Sequence, residues 1–401
     1  MSYLEGNPGR IRFINLAHNL FAEGYNVYLK TKELDFYKYN LDEIDYDFFR
    51  SNVNSIQRSK LSITFGRIFR TFSDFGFSID YYLKYWVSEK KRIKMFIRDN
   101  DIKRVIVSAP PFSIYHILKY IKLKTKSQIY LDVRDALSLH PYKKGTFIDK
   151  FIEKRSFGLA ENIFFTAPST LNEYATLYPE YKSKYNLIYN GFDEDLLSKY
   201  YVSKVSAKKI KILYAGAIYA GRDIGFLIDA LIGCNYSTNF ELILVGPKND
   251  LVLEKLIRSK INYKYLDYMA YDKVLKLMSD VMLFVVLQGG STCSKSYPIP
   301  SKIYEALYLG RGVIYQGPIK DPANIVKLYS KNNLVLDVNA SYKDKVKHAK
   351  DYLDKMNVDV MHNNGFVLKC VQNDKFVDEF SRSAESKKIM SIIFNNPKWS
   401  R

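Results

Sequence analysis

The sequence predicts an α/β protein made of two doubly wound, Rossmann-like domains. Three observations carry that expectation. The 401 residues exceed what one ordinary core organises. Short, continuously apolar runs end in glycine, as in Lys211–Gly216 and Glu241–Gly246. Segments with apolar residues at helical spacing separate those runs. Strands alternating with helices of this length give a parallel sheet covered on both faces, and unbroken apolar runs fit burial on both sides.

The second half shows the alternation most clearly. After the strand at 211–216, Ile224, Leu227, Ile228 and Leu231 mark a helix over 223–231. The strand at 241–246 precedes a helix at 251–261, a strand at 263–266, a helix at 272–278 and an apolar strand at 281–287. In the first half, strands are predicted at 105–108, 128–133, 162–166 and 185–189, with a helix over 113–124. An earlier helix is predicted over 13–23 and a strand over 26–29, so a buried opening strand is short or absent. The polar, Lys-rich stretch 198–209 reads as a linker. The expected organisation is a first domain over 1–198, a second over 199–385, and a tail over 386–401 that packs back on the first.

Composition narrows the function classes. Hydrophobic residues make up 47% and charged residues 26%, which excludes an intrinsically disordered chain. Lys+Arg 61 against Asp+Glu 42 gives a formal net charge of +19, so anionic partners are expected. Cys234, Cys293 and Cys370 lack metal-ligand or paired spacing and fit a reducing compartment. No apolar stretch reaches the ~18–20 residues of a membrane helix, and the N-terminus lacks a signal-like pattern. The expectation is a cytoplasmic chain that could visit the inner face of the cell membrane.

Ligands of doubly wound sheets bind beyond the carboxyl ends of the strands. Gly216 and the following Ala217–Arg222 enter a predicted helix there. Glycine lets the backbone approach a phosphate, a helix N-terminus supplies free N–H groups, and Arg222 adds charge-assisted hydrogen bonds. The same residues could form a tight turn with a solvated arginine. The second segment is Pro300-Ser301-Lys302-Ile303-Tyr304-Glu305-Ala306-Leu307, followed by Gly310-Arg311-Gly312-Val313-Ile314. Glu305 could cap its helix, or accept two hydrogen bonds from vicinal hydroxyls such as those of a ribose.

These segments resemble the donor-site pattern of glycosyltransferase family 4, the retaining family with the GT-B fold, and in particular its bacterial surface and capsular polysaccharide members. Ser108-Ala109-Pro110-Pro111 with Leu131-Asp132-Val133-Arg134-Asp135 resembles the S-P-P and D-x-R-D elements of those members. Asn190-Gly191-Phe192-Asp193 resembles the segment closing the first domain, and Tyr214-Ala215-Gly216 with Arg222 the diphosphate element opening the second. The resemblance implies a fold of two Rossmann-like domains facing across a cleft. It also implies metal-independent transfer of a hexose from a nucleotide-diphosphate-sugar to a glycan acceptor in polysaccharide biosynthesis, such as capsule or lipopolysaccharide.

The resemblance further implies roles. Arg222, Glu305 and Asp135 would be catalytic. Gly216, Arg222, Ser301, Lys302, Glu305, Gly6, Gly9 and Arg10 would hold the donor, with Gly6–Arg10 forming a turn. Asp132 and Arg134 would shape the acceptor side, although a structural salt-bridge cluster is the alternative. The nucleotide-sugar is a substrate, and no permanently bound cofactor or metal is expected. Three departures stand out: Tyr297 where many members have a first glutamate, Ala217 where many have a cation, and Gly312 where proline is usual. They keep open a non-catalytic binding or scaffold subunit, while a sugar-nucleotide epimerase is disfavoured by a histidine count of 5. The acidic pairs Asp45/Asp47 and Asp193/Asp195 follow no convincing strand and read as solvated loops.

Charge is uneven. Residues 51–150 contain Lys+Arg 20 against Asp+Glu 8. Arg67, Arg70, Lys90, Lys91, Arg92 and Lys94 alternate with large apolar residues, including Trp86, Met95 and Phe96. Such a pattern suits a helix on anionic lipid or core-facing helices with a basic outer face. No nucleic-acid module accompanies it. A lipid-linked acceptor would follow from the membrane alternative.

Overall fold

The computed structural model describes residues 8–30, 37–38, 82–141, 144–219, 222–290, 296–362 and 365–395. The chain divides into two units. The first comprises 1–190 with 291–298 and 385–401, and the second 191–290 with 299–384.

The first unit opens with α1 (Pro8–Ala22). The helix begins earlier than the predicted residue 13, because Pro8 fits the first turn of a helix, where no N–H partner is needed. Only Tyr28–Leu29 (β1) of the predicted 26–29 strand forms, pairing antiparallel with Tyr37–Lys38 (β2). Next come α2 (Leu83–Asp99), β3 (Arg104–Ala109), α3 (Tyr115–Thr125), β4 (Gln128–Val133), α4 (Phe147–Leu159), β5 (Asn162–Phe165), α5 (Pro168–Leu177) and β6 (Tyr185–Leu187). Strands β3, β4, β5 and β6 form a four-stranded parallel sheet in that order. On β4, Ile129 to Val133 are all buried, since neighbouring strands flank it and helices cover its faces. Ile389, Met390 and Ile393 pack with Leu16, Tyr130, Phe164 and Ile188, which seats the last helix, α14 (Arg382–Phe394), on this sheet.

The second unit contains α6 (Glu194–Ser198), β7 (Lys204–Ala207), β8 (Ile210–Ala215), α7 (Gly225–Gly233), β9 (Phe240–Val245), α8 (Asp250–Ser259), β10 (Tyr263–Leu266), α9 (Tyr271–Asp280) and β11 (Leu283–Leu287). It continues with α10 (Ser301–Tyr308), β12 (Gly312–Gly317), α11 (Asp321–Tyr329), β13 (Asn333–Asp337), α12 (Tyr342–Val360), β14 (Met361–His362), β15 (Gly365–Lys369) and α13 (Asp374–Phe380). The six-stranded sheet has the order β10-β9-β8-β11-β12-β13, with every pairing parallel. All five residues of β11 are buried, as their unbroken apolar run requires.

The stretch 198–209 is not simply a linker. Within it β7 pairs antiparallel with β15, a partner far along the chain that no local pattern announces. Gly312 shows why the proline usual in the resembled family is absent here. Its N–H donates to the Met282 carbonyl at 3.0 Å, and a Cβ would lie 2.6 Å from Leu283 Cδ2 and 2.8 Å from the Asn332 carbonyl oxygen. Proline lacks that donor and brings that atom.

Candidate functional site

In the second unit the chain lays down β8, extends to β9 and β10 on one side, then returns to build β11, β12 and β13 on the other. The order reverses between β8 and β11, which is the switch point where doubly wound sheets leave a crevice beyond their carboxyl ends.

Gly216 leaves β8 at that edge, its N–H donating to the Val245 carbonyl at 2.9 Å. Gly246 leaves β9 beside it with φ of +140°, and a Cβ there would sit 2.6 Å from the Gly216 carbonyl oxygen. Only glycine permits two turns to abut so closely. The Tyr214 hydroxyl donates to the Ala217 carbonyl at 2.9 Å and pins the turn. Burial pushes the Tyr214 phenol up to about 12, against the opposing pull of Arg222. That cation is half-buried, with its guanidinium 4.7 Å from the centre of the exposed Tyr219 ring.

The helix entry differs from expectation. Helix α7 begins at Gly225, not at residue 223, and Asp223 accepts the Gly225 N–H at 2.7 Å. The helix mouth is therefore partly occupied by the chain's own carboxylate. Arg222 stands in the turn before it and brings a cation to this edge.

Glu305 is the fifth residue of α10 and is 4% exposed. It does not cap its helix. Its Oε1 accepts from the Tyr271 hydroxyl at 2.7 Å, while Oε2 is buried without a hydrogen-bond partner. Tyr271 opens α9. Burial first, and the Glu305 carboxylate second, keep its phenol protonated well above the usual range, with Arg382 opposing. A buried carboxylate with one oxygen fixed and the other unsatisfied is costly unless a ligand donates to it. Ser301 and Lys302 form the half-buried first turn of the same helix, whose N-terminus has no side-chain cap. Their backbone donors are thus available at the start of α10.

The first unit gathers a different cluster at the carboxyl end of β4. Asp132, 1% exposed, meets Arg12 Nη2 at 3.0 Å through Oδ1 and accepts from the Ser108 hydroxyl at 2.9 Å through Oδ2. Arg134 Nε donates to Ser108 Oγ at 2.9 Å, and its other end reaches the Pro110 carbonyl. Asp132 and Arg134 thus sit in one ion-pair cluster, with Arg134 Nε 4.0 Å from Asp132 Oδ2 and Asp135 exposed beyond them. Arg12 also donates to Asn190 Oδ1 at 3.3 Å. Nothing in the local sequence marks Arg12, since its role depends on α1 crossing to β4. Gly9 and Arg10 belong to the first turn of α1 rather than to a preceding turn, and Gly6 lies outside the described residues.

Of the basic stretch, Arg67 and Arg70 lie outside the described residues. Lys90, Lys91, Arg92 and Lys94 lie on α2. Trp86 does not join a surface stripe: with Ile93 and Ile97 it packs against Ile117 and Ile121 of α3. Lys90 sits over the Tyr120 ring at 5.5 Å, and Arg92 pairs with Glu89 at 3.0 Å. This helix is core-facing with a basic outer face. Asp45 and Asp47 lie outside the described residues, and Asp193 caps α6, accepting from Leu196 N–H at 3.0 Å. Among the described residues no group of three or more His, Cys, Asp or Glu could hold a metal ion, and no helix is long and apolar enough to cross a membrane.

No family model matches the chain, and no curated protein sequence does. Solved structures do. HepE of Anabaena in complex with UDP superposes with a TM-score of 0.55 at 15% identity, over 77% of this chain and 82% of that one. Sucrose-phosphate synthase of Thermosynechococcus elongatus gives 0.57 at 12% identity, over 79% of each chain. The lipopolysaccharide outer core galactosyltransferase WaaB gives 0.54 at 12% identity, over 79% of this chain and 82% of that one. HepE has also been solved with UDP-glucose. With its parallel sheets and intervening helices, the chain shares the GT-B fold of these glycosyltransferases.

Proposed function

We propose that this chain is a retaining, metal-independent glycosyltransferase that moves a hexose from a nucleotide-diphosphate-sugar to a lipid-linked glycan in cell-surface polysaccharide assembly. The observation that carries the donor half is Glu305: a buried carboxylate, fixed by Tyr271, with an unsatisfied oxygen, on the helix that follows β11 in a Rossmann-ordered sheet. A ribose supplies the vicinal hydroxyl donors that such a carboxylate lacks. Arg222, the Gly216 turn and the first turn of α10 at Ser301 and Lys302 offer cationic and N–H donors for the diphosphate.

The chemistry needs little else. The acceptor oxygen bonds to the anomeric carbon as the bond to the diphosphate breaks, and the acceptor proton passes to a leaving phosphate oxygen. Arg222 stabilises the charge that grows on that diphosphate. The resemblance to surface-polysaccharide transferases supports an acceptor-side role for the Asp132–Arg134–Asp135 segment and the lipid-linked acceptor itself. In this reading Asp132 and Arg134 act by shaping the strand end, and the exposed Asp135 is the group free to touch substrate.

One specific observation favours a second reading. Tyr297 occupies the position of the first family glutamate, so a non-catalytic nucleotide-sugar binder would also retain the Glu305 site. Incubating the protein with nucleotide-sugars and a lipid extract separates the two. Release of nucleoside diphosphate that requires the extract and vanishes in Glu305→Ala supports transfer. Saturable donor binding without release supports the binder.

A further inference from the structure

The first two turns of helix α4 are amphipathic in the reverse of the usual sense. Its acids face inward: Asp149 is 2% exposed and Glu153 is fully buried. Two of its three phenylalanines face outward, Phe147 being 84% and Phe151 58% exposed, while Phe157 is buried in the core. Besides Gly158, the exposed positions are Phe147, Lys150, Phe151, Lys154 and Arg155, a stripe at i, i+3, i+4, i+7 and i+8 that follows one side of the helix. It carries cations and aromatic rings with no acid of its own, and the exposed Lys144 precedes it. Lys154 is shared with Glu180 at 2.8 Å.

The start of this helix and its orientation are each fixed. Thr146 and Asp149 form a reciprocal capping box, with Thr146 N–H donating to Asp149 Oδ2 at 2.9 Å and Asp149 N–H to Thr146 Oγ1 at 3.1 Å. One turn on, Glu153 accepts the N–H groups of Leu137 at 3.2 Å and Ser138 at 3.3 Å, together with the Tyr174 hydroxyl. Rotating the helix to bury the phenyl rings would break the Glu153 hydrogen bonds and release the strand-end loop that Glu153 holds. The outward rings are therefore built in.

We infer that this stripe is a docking surface for an anionic lipid bilayer, with Phe147 and Phe151 entering the headgroup–acyl boundary and Lys150 and Arg155 meeting phosphate headgroups. Charge complementarity selects the partner, because aromatic residues interleaved with cations along one helix face match the two layers of an anionic interface. The site is distinct from α2, whose Trp86 is committed to the core. The inference does not rest on glycosyl transfer, and nucleotide binding can stand or fall independently of it.

The test is cosedimentation of the full chain with vesicles of phosphatidylglycerol and phosphatidylcholine, against phosphatidylcholine alone. Wild type is expected to pellet with the anionic vesicles only. The double variant Phe147→Ser/Phe151→Ser should bind them at least about tenfold more weakly, since the apolar area of both rings is lost from the interface, while keeping its melting temperature because both rings are exposed. Lys150→Glu/Arg155→Glu should lose binding similarly, and Leu251→Ser, an exposed apolar position on α8, should lose none. Wild type that ignores anionic vesicles, or a phenylalanine variant that binds like wild type, overturns the inference. So does a wild-type dimer, in the absence of lipid, that the double variant abolishes.

Discussion

The Tyr271 hydroxyl donates to Glu305 Oε1 at 2.7 Å, leaving Oε2 as a buried acceptor with no partner. The two residues come from different helices, α9 and α10, so the carboxylate is oriented by tertiary structure before any ligand arrives. Tyr271→Phe removes the donor and leaves both oxygens unsatisfied. It should weaken nucleotide binding by about 1–3 kcal/mol, or roughly 5- to 150-fold. Calorimetric titration checks this, and the donor KM should rise more than kcat falls, because the phenol positions the carboxylate and touches no reacting atom.

Arg222 should discriminate by phosphate count. Arg222→Ala is expected to lower affinity for a nucleoside diphosphate by about 1.5–3 kcal/mol while changing affinity for the corresponding nucleoside little. Equal losses for both ligands would place the guanidinium away from the phosphates. Arg222→Lys should restore only part of the loss, since a point charge cannot reproduce the planar fork.

Burial raises the Glu153 carboxyl to about 7, opposed by hydrogen bonds from Ser138, Tyr174 and Leu137. A raised folded-state value means that the native protein holds a proton that the unfolded chain releases at lower pH. Stability therefore falls as pH rises from about 4.5 to about 7, by at most ~1.4 kcal/mol per pH unit, and is flat on either side. Glu153→Gln should flatten that slope in urea melts collected between pH 4 and 8. An unchanged slope would assign the titration elsewhere.

Arg12 and Asp132 form a buried pair at 3.0 Å. Arg12→Met leaves Asp132 as an uncompensated buried charge and should destabilise the first unit by about 3–5 kcal/mol, measured by urea denaturation. The double variant Arg12→Met/Asp132→Asn should recover a large part of that loss.

At Gly246 the left-side φ of +140° and the 2.6 Å approach to the Gly216 carbonyl oxygen leave no room for a side chain. Gly246→Ala should cost about 1–3 kcal/mol and weaken diphosphate binding with it, because the Gly216 turn must move. Thermal melts in the presence and absence of ligand separate the two effects.

Much of the second unit was legible because its strands are buried on both faces: β8, β9 and β11 read as unbroken apolar runs, and each appears within a residue or two of its predicted limits. Glu305 stood out for the same reason, as a lone acid in an apolar helix. What the sequence concealed was non-local. Strand β7 is polar and acquires its identity from β15, paired across the whole domain. Tyr271 and Arg12 are ordinary residues until α9 and α1 carry them to a buried carboxylate. The start of α1 was misplaced because Pro8-Gly9 reads equally as a turn or as a helix entry. Helix α4 misleads in another way: Asp149 and Glu153 suggest solvent and Phe147 and Phe151 suggest core, and the placement of all four is the reverse, with only Phe157 where its type predicts.

The central claim is that Glu305 and Arg222 receive one nucleoside diphosphate at the carboxyl edge of the second unit's sheet. Calorimetric titration of wild type, Glu305→Ala and Arg222→Ala with a panel of nucleoside diphosphates tests it most directly. The account predicts that wild type binds at least one of them, that each variant binds it at least about tenfold more weakly, and that the same base is preferred throughout. Wild type that binds none, or variants that bind as tightly as wild type, would contradict it.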